Sequence, residues 1–204
     1  MGDRFPCDIR ICFIGDSMVN GTGDPDCLGW VGRVGQALKR EGWDLTVYNL
    51  GVRRETSLQI EQRWLQEVTC RLPEGCDRRL VFSFGVNDTT LEEGKLRVDF
   101  EASIACARRI LCEAKQQYPV LMIGPPAIAD ADQNQRIAQL SEQYAVLCAE
   151  LDVSYLSVYE SLVKSPVWMK EAAAGDGAHP GAGGYAELAQ LILNWPTWKT
   201  WFSR

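Results

Sequence analysis

The stretch Ile9-Arg10-Ile11-Cys12-Phe13-Ile14-Gly15-Asp16-Ser17 decides the fold. Residues 9–14 are a short apolar run, β-branched and aromatic, with a single charge. That is the pattern of a strand buried on both faces. The run stops at Gly-Asp-Ser. A serine on a tight turn at a strand end presents its hydroxyl outward and can open a helix. The same three residues also dominate ordinary turns, so the tripeptide by itself decides nothing about chemistry.

Outward from this run the pattern repeats along the chain. Residues 28–40 read as a helix with Trp30, Val34 and Leu38 on one face, and 45–50 as a second strand. Residues 57–72 form a capped helix with Ile60, Trp64, Leu65 and Val68 pointing inward. Residues 80–84 are a third strand. Asp99 caps a helix that runs to residue 118, with Phe100, Ile104, Ala107 and Leu111 at core spacing. A fourth strand, 120–123, ends at Gly124-Pro125-Pro126. A helix carrying Ile137, Leu140, Tyr144, Leu147 and Leu151 follows, then a fifth strand at 154–158 and a helix at 183–194. Alternating strands and helices with near-continuous apolar strands predict a three-layer α/β/α sandwich of about five parallel strands.

No repeat, linker or low-complexity segment breaks the 204 residues, which read as one domain spanning 1–204. Residues 195–204 form a tryptophan-rich tail. Trp195, Trp198 and Trp201 recur every third residue; they are read as docking this tail on the body, with a dimer or substrate-entry surface as the alternative. Hydrophobic residues are 46% and charged residues 24% of the chain, an ordinary globular balance. The net charge of −6 disfavours nucleic-acid backbones and anionic membrane surfaces. No apolar run reaches the roughly 18 residues of a spanning helix.

The segment Met1-Gly2-Asp3-Arg4-Phe5-Pro6 lacks the apolar stretch of a signal peptide, so a cytoplasmic location is expected. The eight cysteines are accordingly read as reduced thiols. There is no C-x-x-C pair and a single histidine, so no metal site is expected. Gly21-Thr22-Gly23 lacks the third glycine of a dinucleotide fingerprint and the Gly-Lys of a phosphate loop. The sequons at Asn20 and Asn87 are set aside because a glycan there would block the expected cleft.

In doubly wound sheets ligands bind outside the carboxyl ends of the strands, so the residues after each strand matter most. Ser17 follows the first strand. Asn49-Leu50-Gly51 follows the second, and a glycine there lets backbone approach a ligand. Gly85-Val86-Asn87-Asp88 follows the third, where a side-chain amide can donate to an oxyanion. Gly175-Asp176-Gly177-Ala178-His179-Pro180-Gly181 lies after the fifth and holds the only histidine. An acid three residues before it can reach the imidazole Nδ1–H and leave Nε2 as a base. Each feature is also a common turn or cap. Together they are the full set that acyl transfer requires: nucleophile, base, orienter and oxyanion donors.

These residues resemble the four blocks of the GDSL, or SGNH, hydrolases: Ser17 in G-D-S, Gly51 in N-L-G, Asn87 in G-V-N-D and His179 in D-G-A-H-P. The resemblance covers most of the chain. It implies a flavodoxin-like fold, hydrolysis of esters or thioesters, and no cofactor. It implies a triad of Ser17, Asp176 and His179, with an oxyanion hole from the N–H groups of Ser17 and Gly51 and the Asn87 amide. The substrate expected is a small soluble ester with a short acyl chain. Lysophospholipids, thioesters and carbohydrate O-acetyl groups are alternatives, and a flavodoxin-like ligand-binding domain without chemistry is the non-enzymatic one. Met18 replaces the leucine of the tetrad, which conserves volume. Arg53 and Arg54 stand where many members carry small residues. Substrate binding is one role for them, since arginine favours anionic groups, and plain solvation is the other. The loops 20–28 and 89–97 are expected to wall the cleft.

Overall fold

The computed structural model describes residues 8–203, so the reading of residues 1–6 lies outside them. Five strands form one parallel sheet: β1 (Ile9–Gly15), β2 (Leu45–Gly51), β3 (Asp77–Ser83), β6 (Val120–Ile123) and β7 (Ser154–Leu156). Their order is β2-β1-β3-β6-β7. Counted along the chain this is the 2-1-3-4-5 arrangement of flavodoxin-like folds, with the topological switch between β1 and β3. A small antiparallel hairpin, β4 (Leu91–Glu92) with β5 (Lys95–Leu96), lies apart from the sheet.

Side-chain alternation along β1 builds the layers. Ile9, Ile11 and Phe13 join one buried cluster, while Cys12 and Ile14 join the other. On the first face lie α2 (Gly29–Arg40) and α8 (Ala182–Asn194), contributing Trp30, Val34, Leu38, Tyr185, Leu188 and Ile192. On the second lie α3 (Ser57–Thr69), α4 (Phe100–Lys115) and α5 (Ala131–Glu150), contributing Ile60, Trp64, Ile110, Leu111, Tyr144 and Leu147. Phe13 is fully buried and meets Trp30 edge-on at 5.4 Å. Truncating such a residue to alanine typically costs about 3–5 kcal/mol.

The short helices α1 (Ser17–Asn20), α6 (Tyr159–Leu162), α7 (Pro166–Ala174) and α9 (Pro196–Trp201) complete the chain. Helix α9 docks the tryptophan-rich tail. Trp198 is buried 6.3 Å from Phe13, and the Arg79 guanidinium stacks over Trp201 and Phe202. Boundaries differ from the sequence reading by a few residues: the third strand begins at Asp77, and the fifth ends at Leu156. Among the described residues no helix is long and apolar enough to cross a membrane.

The register places the site. Gly15 of β1 is level with Gly51 of β2 and Ser83 of β3. The three strands therefore end together, and the segments after them emerge at one edge, beside the switch point.

Candidate active site

Ser17 is the first residue of α1, directly after β1. Asp16 caps that turn, its Oδ1 accepting the Met18 N–H at 2.9 Å. Ser17 is largely buried, at 6% exposure. Burial pushes the Asp16 carboxyl up to about 7 against the bond from Met18, and the nearby Asp88 adds to the rise. Asp88 is also raised by burial, against hydrogen bonds from the Ser103 hydroxyl and the Ser57 N–H at 2.5 and 2.8 Å. Ser103 in turn meets the Tyr144 hydroxyl at 2.6 Å, tying α3, α4 and α5 together behind the site.

Asp176 and His179 lie on the loop between α7 and α8. Asp176 Oδ1 accepts the N–H groups of Ala178 and His179 at 3.0 and 2.9 Å. Its Oδ2 faces His179 Nδ1 at 2.7 Å. A carboxylate only accepts, so the proton resides on Nδ1 and Nε2 is left as acceptor. Nε2 lies 2.7 Å from Ser17 Oγ, in reach of its hydroxyl proton. Burial raises the Asp176 carboxyl, but the bonds from His179 and Ala178 outweigh it and bring it down to about 2. It is therefore ionised at neutral pH.

The structure thus brings the Asp176–His179 pair to a serine that lies 162 residues from the histidine in sequence. Asn87 is also at this edge: its Nδ2 donates to Glu55 O at 2.9 Å, and the residue lines the cleft. Gly51, at the end of β2, is at the same edge, and its N–H donates to Asn49 Oδ1 at 3.0 Å. Gly51 also supplies clearance, because a Cβ there would sit 2.1 Å from Asn20 N and 2.7 Å from Asp16 O. Larger residues would push the serine turn away.

A cavity of about 510 Å³ opens beside the triad, between Asn87, Asp130, Gln133 and Asp176, with Ile128 and Val86 as its apolar wall. Arg54 borders it, with a positive φ of 68° and a side chain 80% exposed. Arg53 is exposed and is not among the lining residues. Thr90, Glu92 and Arg97 from the 89–97 loop also line the cavity, and Glu92 pairs with both Arg54 at 3.6 Å and Arg97 at 3.2 Å. The 20–28 loop supplies Gly23 and Pro25 to a second cavity of about 540 Å³ that His179 and Asp176 also line. Arg97, Asp130 and Gln133 were not singled out in the sequence. They come from a hairpin and a helix whose orientation no local pattern reveals. Among the described residues no group of His, Cys, Asp or Glu side chains is clustered to hold a metal ion.

A hydroxyl hydrogen-bonded to an imidazole that is itself held by an ionised carboxylate serves acyl transfer, which defines the class as serine-type acyl hydrolases. Residues 13–187 match the GDSL-like lipase/acylhydrolase family, and the chain belongs to that family. It is a carboxylic ester hydrolase. No curated protein sequence matches it. Among solved structures it is similar to a lipase/acylhydrolase from Enterococcus faecalis, with 23% identity and a TM-score of 0.75 over 90% of this chain and 93% of that one. An acetylxylan esterase from Geobacillus stearothermophilus is similar with 19% identity and a TM-score of 0.75, covering 92% and 94%. A lipolytic G-D-S-L protein from Veillonella parvula gives 17% and 0.72, covering 93% and 98%. At these identities the likeness is one of fold.

Proposed function

We propose that the protein hydrolyses small, polar carboxylic esters through an acyl-enzyme on Ser17. The observation that carries this reading is the continuous path from Ser17 Oγ through His179 to Asp176, with both contacts at 2.7 Å. Ser17 Oγ attacks the ester carbonyl while its proton passes to His179 Nε2. The Ser17 N–H and the Asn87 amide take the negative charge that develops on the carbonyl oxygen. The tetrahedral species collapses, the C–O bond to the alcohol breaks, and the imidazolium protonates the leaving oxygen. Water, deprotonated by the same Nε2, then releases the acid and restores the serine. Asp176 holds the tautomer and offsets the imidazolium charge.

The lining of the cleft supports the substrate class. Arg54, Glu92, Arg97, Asp130 and Gln133 surround it with charge and hydrogen-bonding groups, which suits a hydroxyl-rich alcohol and a short acyl group rather than a fatty chain. This favours a carbohydrate O-acetyl ester over a lysophospholipid. A cytoplasmic setting fits the unpaired thiols at Cys12, Cys27, Cys70, Cys76, Cys106, Cys112 and Cys148.

The test is turnover of p-nitrophenyl esters from acetate to palmitate and of an acetylated sugar, beside variants. Ser17→Ala and His179→Ala are each expected to lower kcat on the order of 10⁶-fold, and Asn87→Ala about 10²–10³-fold. Acetate to butyrate should be preferred. A folded protein with no serine-dependent turnover, and no adduct at Ser17 with an organophosphonate, would instead indicate a flavodoxin-like binding domain.

A further inference from the structure

The loop bearing Asp176 and His179 is glycine-rich, yet it must hold the imidazole within a fraction of an ångström. Its two ends are Gly175, which closes α7, and Gly181, which opens α8. Helix α8 has no cap from its own N-cap side chain. Its first N–H groups are taken by a residue of the neighbouring helix. Glu171 of α7 accepts from Gly181 N at 2.9 Å and Gly184 N at 2.7 Å through Oε2, and from Gly183 N at 3.2 Å through Oε1.

The seat for this carboxylate is shaped by missing side chains. A Cβ on Gly183 would lie 2.6 Å from Glu171 Oε1, and one on Gly184 would lie 3.2 Å from Oε2. Helix α7 is itself fixed. Ser165 caps it by accepting the Trp168 N–H at 3.0 Å, and Trp168 Nε1 donates to Ala127 O at 2.8 Å. At the near end of the loop, Gly175 N bonds back to Glu171 O at 3.1 Å. Glu171 therefore touches both ends of the loop, by its backbone at one and its side chain at the other.

We infer that Glu171 is a positioning residue for His179, a carboxylate clamp that closes the loop carrying the base and its orienting acid. Three N–H groups converge on one anion, which suits a carboxylate and not an amide, because glutamine presents one acceptor oxygen and a competing NH₂. The inference rests on the reading of His179 as the general base.

Because His179 is the only histidine, one downfield Nδ1–H proton resonance reports its bond to Asp176. That signal would be recorded with kcat and KM for the wild type, Glu171→Gln and Gly183→Ala. The second variant keeps the glutamate but puts a methyl 2.6 Å from its Oε1, and 2.9 Å from Val167 Cγ1. Both are expected to lower kcat about 10–100-fold, the scale of a 1 Å misplacement, with KM changed less than about threefold. The proton signal should broaden or move while the far-ultraviolet spectrum stays native. Folded variants with wild-type kcat and an unmoved proton signal would overturn the clamp. So would a kcat loss without any change in that signal, or loss of the native fold in both variants. A misfolded Glu171→Gln alone leaves the decision to Gly183→Ala. If His179→Ala retained activity, the base assignment itself would fail, whereas the proton signal would still report on the clamp.

Discussion

Replacing Asp176 by asparagine separates the chemistry of this site from its stability. The two Asp176 oxygens have different tasks: Oδ1 takes the Ala178 and His179 N–H groups, and Oδ2 takes His179 Nδ1. Asparagine keeps one acceptor oxygen. The two backbone donors will claim it, which turns the NH₂ toward Nδ1 and forces the imidazole proton onto Nε2. In that tautomer Nε2 no longer accepts from Ser17. The equivalent exchange in a buried triad lowers kcat about 10⁴-fold. Here the Asp176 side chain is 51% exposed, so water can compete for Nδ1 and the expected loss is roughly 10²–10⁴-fold.

Stability should change far less. The carboxyl lies at about 2 instead of 3.8, so its contribution is present above pH 3.8 and is lost as the pH falls through about 2. After allowance for solvent screening that contribution is roughly 1 kcal/mol, or about 2–4 °C in Tm for a domain of this size. Turnover of p-nitrophenyl acetate at pH 8 and calorimetry at pH 7 and pH 3 provide the assay. The wild type should lose more stability between those pH values than the variant. An Asp176→Asn protein keeping more than a tenth of wild-type kcat would refute the tautomer argument. A Tm lowered by more than about 10 °C would mean that the side chain mainly holds the loop together.

Gly51→Ala should destabilise the protein by about 3 kcal/mol, at the upper end for overpacking, because the new methyl meets the backbone of Asn20 and Asp16 rather than a movable side chain. Urea unfolding checks this, and an unchanged midpoint would show that the strand end yields. Thiol reactivity should divide by burial. Cys27 and Cys70 are exposed, whereas burial pushes Cys12, Cys106 and Cys148 up to about 12. A pulse of iodoacetamide on the native protein, read by peptide mass, should label the first pair and spare the other three until urea is added. Rapid labelling of Cys12 would mean that β1 opens.

Much of the architecture was legible because it is written in local periodicity. The run from Ile9 to Ile14 is apolar at every position but one, and its residues divide between the two core faces as a doubly covered strand requires. The three-residue spacing of Asp176 and His179 was legible for a similar reason: a tight turn fixes their separation within a few bonds. The Ser165-Pro166 start of α7 is also a local signal, a cap followed by proline at the first helical position. Residue type alone did not show that the Gly51 N–H donates to Asn49, since that depends on the side-chain rotamer of a neighbour two residues away.

The sequence by itself therefore determined the main strands and helices and the α/β/α layering, and it marked Ser17 and Asn87 as residues that follow strands and Asp176 and His179 as a pair in one glycine-rich loop. Tertiary structure alone decided the order β2-β1-β3-β6-β7, which brings Ser17 within 2.7 Å of a histidine 162 residues away. It also decided that Arg54 borders the cleft, and that Glu171 caps a helix other than its own. The physical reason is one of range. Backbone sterics and hydrophobic period act between near neighbours and are printed in the chain, whereas pairing between strands and loops is fixed by how whole layers pack.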